Sequence, residues 1–98
     1  MSFLKKYEGR IVILVHPLCS ACAELKERLS RDERSRELVV FLDVTKDEVA
    51  QTLAEGFDIS EVPVAFRITE EDGKVKVCRL DDRSEPVECM EVEYERDR

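Results

Sequence analysis

Ninety-eight residues make one domain of ordinary size, enough for a modest core and too few for a second lobe that closes on a substrate. Apolar residues at 43% exclude a disordered chain, and charged residues at 40% mean a densely charged surface. Acids outnumber bases 23 to 16, net −7, which argues against nucleic acid or an anionic membrane as partner, since both need clustered cations.

No apolar run approaches the ~18–20 residues of a membrane span. Met1–Arg10 carries Lys5 and Lys6 but no signal-peptide core, so a cytoplasmic location is expected. Asn is absent and Gln occurs only at Gln51, which with the charge density is the pattern of a heat-adapted protein.

In chain order, Ser2–Tyr7 fits one amphipathic turn with Phe3, Leu4 and Tyr7 inward. Ile11-Val12-Ile13-Leu14-Val15 is apolar without alternation, the pattern of a central, parallel strand covered on both faces, and His16-Pro17 ends it. From Ser20 to Arg31, Cys22, Leu25 and Leu29 share a helical face, with Leu18 one turn earlier. Glu24–Arg28 and Glu27–Arg31 oppose them as favourable i,i+4 pairs. Arg31–Glu37 reads as a solvated link, and Leu38-Val39-Val40-Phe41-Leu42 as a second buried strand ending at Asp43.

Thr45-Lys46-Asp47-Glu48 has capping-box spacing. Val49, Ala50, Leu53, Ala54 and Phe57 continue the helix, and Gly56 marks its stop. A third strand, Val64–Ile68, follows Pro63. Glu71-Asp72-Gly73 signals a hairpin into a fourth strand around Lys74–Cys78, antiparallel to the third. A βαβ unit followed by a hairpin predicts an α/β fold: a mixed four-stranded sheet flanked by helices.

Residues 1–80 would form this domain, with net charge −2; residues 81–98, net −5, would be an acidic extension packed on it or trailing from it. Met90, Val92 and Tyr94 alternate with glutamates, which predicts a fifth strand fraying after Glu95. Val87, Met90 and Tyr94 also fit helical spacing; the strand is preferred. The charge runs 31–37 and 85–97 read as solvated faces.

Cys19-Ser20-Ala21-Cys22 lies where a buried strand gives way to a helix. A cysteine at a helix cap meets free amide N–H groups and the positive end of the dipole, which favour its thiolate. A second cysteine three residues on lies within disulfide reach and, being on the apolar stripe, is the less exposed. The asymmetry assigns attack to Cys19 and resolution to Cys22. Half a zinc site, or two core cysteines, are the alternatives for this spacing.

The chain resembles the thioredoxin/glutaredoxin superfamily over Phe3–Leu80. The resemblance is carried by Pro17-Leu18-Cys19-Ser20-Ala21-Cys22, by Phe57-Asp58-Ile59-Ser60-Glu61-Val62-Pro63, and by the 41-residue separation of Cys22 from Pro63. It implies a thioredoxin-like fold and a cis Val62–Pro63 peptide beside Cys19, with the backbone of Val62 pairing an extended substrate. The chain departs from the family in several places. Ser20-Ala21 is neither Gly-Pro nor Pro-Tyr, Ile13 stands near the buried acid of thioredoxins, and no tryptophan precedes Cys19. Cys78-Arg79-Leu80-Asp81-Asp82 replaces the Gly-Gly of glutaredoxins, although Asp81 and Asp82 resemble the acidic pair after it, so glutathione is not named as substrate.

His16, the single histidine, stands three residues before Cys19, placed either to support the thiolate and shuttle its proton or to rest in solvent at the strand end. Cys78 and Cys89 come opposite each other if the chain turns back around Arg83–Ser84. They would then form a structural disulfide in a thermophile, or stay as unpaired thiols otherwise. Their spacing matches no familiar zinc or iron–sulfur pattern. The expectation is therefore a cofactor-free, metal-free thiol–disulfide oxidoreductase acting on disulfide-containing proteins. A reductase or low-molecular-weight thiol would supply its electrons. A metal- or iron–sulfur-binding module and a redox-inert adaptor on the same fold are the alternatives.

Overall fold

The computed structural model describes residues 4–93. Phe3 of the amphipathic turn and the expected fraying after Glu95 lie outside them. Within the turn, Lys5–Tyr7 forms a single 3-10 turn and Leu4 is buried.

The elements that follow are β1 (Ile11–Val15), α1 (Ser20–Ser30), α2 (Glu33–Leu38), β2 (Val39–Asp43), α3 (Glu48–Gly56), β3 (Val64–Glu71), β4 (Lys74–Leu80) and β5 (Pro86–Glu93). The strands form one mixed five-stranded sheet in the order β2-β1-β3-β4-β5. β1 runs parallel to β2 and antiparallel to β3; β3–β4 and β4–β5 are antiparallel.

Two apolar layers hold the sheet. On one face Val12, Leu14, Phe66, Ile68, Val75 and Val77 pack with Val49, Ala50 and Leu53 of α3. On the other, Ile13 and Val15 pack with Cys22, Leu25 and Leu29 of α1. β1 is buried on both faces because a helix covers each, which is why its sequence shows no alternation. β2 carries the same continuous run, and residues from it meet both layers, yet only Leu42 is fully buried. It is a sheet edge, and one flank stays open.

Several local expectations are corrected. Arg31–Glu37 is largely a helix, capped by Asp32, whose carboxylate accepts from Ser35 N–H at 3.2 Å. It has no buried residue and so leaves no periodic apolar signal. Leu38 ends that helix rather than starting β2, and Leu18 is 89% exposed rather than extending the α1 stripe. The stripe stops there because the chain before Cys19 is no longer helical.

α3 is capped by Asp47, not by Thr45. Asp47 Oδ1 accepts from Val49 N–H at 2.8 Å and Ala50 N–H at 3.1 Å. Thr45 is engaged instead with Asp43 Oδ1 through its amide at 2.8 Å and its hydroxyl at 2.6 Å. The helix stops by a Schellman motif whose left-handed residue is Asp58 (φ 54°). Ile59 N–H bonds Ala54 O at 2.8 Å and Asp58 N–H bonds Glu55 O at 3.3 Å. Gly56 is the last helical residue; a Cβ there would lie 3.3 Å from Met90 Cε, so the glycine makes room for β5.

The β3–β4 turn has Asp72 and Gly73 at φ 53° and 77°, the paired positive angles of a type I′ hairpin. Residues 86–93 adopt the strand rather than the helix. They reach β4 through a turn built on Asp81, whose Oδ1 accepts from Arg83 N–H at 2.8 Å and Glu85 N–H at 3.0 Å. No helix among the described residues is long and apolar enough to cross a membrane.

Candidate active site

Cys19 is the N-cap of α1, with extended backbone (φ −93°, ψ 110°). Its sulfur takes the place a Ser or Asp oxygen holds at most caps. Cys22 N–H donates to Cys19 Sγ at 3.0 Å, and Ala23 N–H bonds Cys19 O at 3.2 Å. The two sulfurs are disulfide-bonded, across a Cα separation of 5.2 Å. Cys22 is 2% exposed and belongs to the α1 layer, whereas Cys19 is half-buried.

Cys19 Sγ also lies 3.6 Å from the carbonyl oxygen of Val62. In the disulfide this is a contact without a proton. After reduction the two neighbours pull in opposite senses. The Cys22 amide and the free N–H groups of the first helical turn favour a thiolate, while a carbonyl oxygen favours a thiol that can donate to it.

The Val62–Pro63 peptide is cis. The Val62 side chain packs against both apolar layers. Pro63 lines a broad groove of about 1240 Å³ together with Leu25 and Arg28 of α1, Ala65, Leu80 and Asp82.

A smaller pocket of about 330 Å³ is lined by Cys19 itself, with His16, Leu18, Val44, Ala54, Ile59 and Val62 among others. The Schellman stop of α3 builds this wall, because it sets Ile59 against Ala54. Sequence reasoning missed the pocket: an aspartate in the left-handed position does not announce itself as glycine does. Leu18, misassigned to the core, is the exposed apolar lip of the same pocket.

His16 ends β1. Its Nδ1 accepts the backbone N–H of Leu18 at 3.0 Å and its carbonyl accepts Cys19 N–H at 3.1 Å, so it shapes the loop that presents the sulfur. Asp43, at the end of the neighbouring strand, has its carboxyl held below the ordinary range. The Thr45 hydroxyl and amide are the main causes, with smaller contributions from Lys46 and His16.

His16, Cys19, Cys22, Val62 and Pro63 are thus gathered at one end of the sheet. Cys78 and Cys89 are not among them. They stand opposite each other in the β4–β5 register, disulfide-bonded, so the paired alternative is the one observed. Among the described residues no group of three or more His, Cys, Asp and Glu is arranged to hold a metal ion. No protein-family model, curated protein or solved structure matches the chain.

Proposed function

We propose that the chain is a thioredoxin-like thiol–disulfide oxidoreductase in which Cys19 attacks and Cys22 resolves. One observation carries the reading: Cys19 Sγ caps α1, is bonded to the buried sulfur of Cys22, and receives the Cys22 amide at 3.0 Å. A core disulfide needs no such placement, whereas a nucleophile does.

In the reduced protein the Cys19 thiolate bonds to one sulfur of a substrate disulfide, and the other substrate sulfur departs with the electron pair and takes a proton. Cys22, deprotonated in turn, attacks Cys19 Sγ. The second substrate thiol leaves, and the Cys19–Cys22 disulfide remains. Two electrons pass to the substrate. A reductase or a low-molecular-weight thiol returns them.

The substrate is a disulfide-containing protein. Its extended segment would pair with the backbone of Val62, whose carbonyl lies beside the reacting sulfur. His16 lines the pocket next to Cys19 and is the residue at hand to exchange the proton. Its Nδ1 accepts from Leu18, so the neutral ring carries its proton on Nε2 as a donor, and taking up a second proton requires the Leu18 bond at Nδ1 to open.

The test is reduction of insulin disulfides by dithiothreitol. The wild type accelerates it and Cys19→Ser does not; equal rates for the two proteins overturn the proposal.

A further inference from the structure

The Cys78–Cys89 disulfide has no part in the chemistry above, and its two sulfurs are unequally placed. Cys78 is 9% exposed, inside the sheet on β4. Cys89 is on the edge strand β5, where residues 86–91 are all exposed. Charge is unequal too. Cys78 is paired in register with Arg67 of β3, on the flank away from Cys89, whereas Lys76, two residues before it, is itself paired in register with Glu91 of β5. Around Cys89 the segment 81–91 holds Asp81, Asp82, Glu85, Glu88 and Glu91 against Arg83 alone.

We infer that Cys78–Cys89 is a second thiol–disulfide exchange site, attacked at Cys89 Sγ by an uncharged or cationic low-molecular-weight thiol, and that its reduction releases β5 from the sheet. The attacking thiolate forms a bond to Cys89 Sγ as the Cys78–Cys89 bond breaks. The electron pair leaves on Cys78, which has Arg67 beside it in the register. A second thiol attacks the external sulfur of the mixed disulfide and frees Cys89. Two external thiols become one disulfide, and their protons end on Cys78 and Cys89.

Access selects the sulfur attacked, and the better-stabilised thiolate leaves. Charge selects the thiol, because the acids of residues 81–91 repel an anion such as glutathione and draw a cation such as cysteamine. Once the disulfide is gone, none of the β5 side chains whose burial is described, residues 86–91, is buried. The Arg79–Glu88 pair is exposed at 35% and 49%, and such pairs contribute little. Met90, against Gly56, is itself 37% exposed. β5 therefore opens before the strands whose side chains fill the core.

The test uses the full chain with Cys19→Ser and Cys22→Ser, so that its outcome is independent of the first site. Adducts are mapped by mass spectrometry after exposure to cysteamine or glutathione, and amide hydrogen exchange is followed through reduction. The adduct is expected on Cys89, forming about tenfold faster with cysteamine than with glutathione at low salt and converging at high salt. On reduction the β5 amides should lose protection while those of β1 keep theirs. An adduct on Cys78, equal rates for the two thiols, a disulfide that persists until β1 opens, or an unchanged β5 overturns the inference. Cys78→Ser/Cys89→Ser, with Cys19 and Cys22 intact, gives a second reading: its β5 should exchange fast without any reductant, and a protected β5 there also overturns it.

Discussion

The backbone amide of Cys22 donates to the sulfur of Cys19 across 3.0 Å, so the residue proposed to resolve the exchange also holds, by its amide, the sulfur proposed to start it. The substitution Cys22→Ser removes the resolving sulfur and keeps that amide, which belongs to the backbone. In that variant the pH midpoint for alkylation of Cys19 is therefore expected below that of a free thiol, and the mixed disulfide with substrate should accumulate. With Cys19→Ser, Cys22 should alkylate slowly at every pH, since it is 2% exposed. A Cys19 midpoint at the free-thiol value removes the electrostatic basis of the proposal.

The cap of α3 gives a sharper local test. Asp47→Ala should cost about 1 kcal/mol of unfolding free energy, because two amides lose their acceptor. Thr45→Ala leaves that cap in place, and its cost should reflect only the exposed bonds to Asp43. Urea denaturation of both variants checks the ranking; a reversed order would restore the Thr45 capping box.

Phe66 is fully buried and its ring lies 4.9 Å from that of Phe57. Phe66→Ala should lose about 3–5 kcal/mol, a large share of the roughly 5–15 kcal/mol available to a domain. A shift in the denaturation midpoint without a change in slope is the expected signature.

Asp43 ties stability to pH. Its folded-state carboxyl lies below the ordinary value, chiefly through the Thr45 hydroxyl. The folded state thus releases its proton more readily than the unfolded chain. The stability this adds is present above the ordinary carboxylate value and is lost as the pH falls below it. Asp43→Asn should flatten the acid limb of the stability profile and leave the neutral region nearly parallel to wild type. Thermal melts across acid pH measure it; an unchanged acid limb counts against the assignment.

What could be read from the chain was mostly what is decided locally. Ile11–Val15 is a run whose only comfortable place is between two helices, and Cys19 precedes a helix whose start is marked by its own spacing. The β4–β5 register was accessible because Cys78 and Cys89 flank one turn. The failures lie where two local answers compete or where none is offered. Thr45 and Asp47 both suit a cap, and the choice falls to Asp47 because Asp43 occupies Thr45. α2 has no buried residue, so no hydrophobic period reveals it. The pocket beside Cys19 draws on Leu18, on Val44 and on the Ala54–Ile59 turn, three segments that nothing local joins.

Val62 is wedged between both apolar layers. Breathing confined to one side of the sheet leaves it anchored by the other, so fraying at α2 or along β5 need not disturb the alignment of its carbonyl with the neighbouring sulfur. A double footing of this kind lets a very small scaffold keep one spot stiff while its periphery loosens.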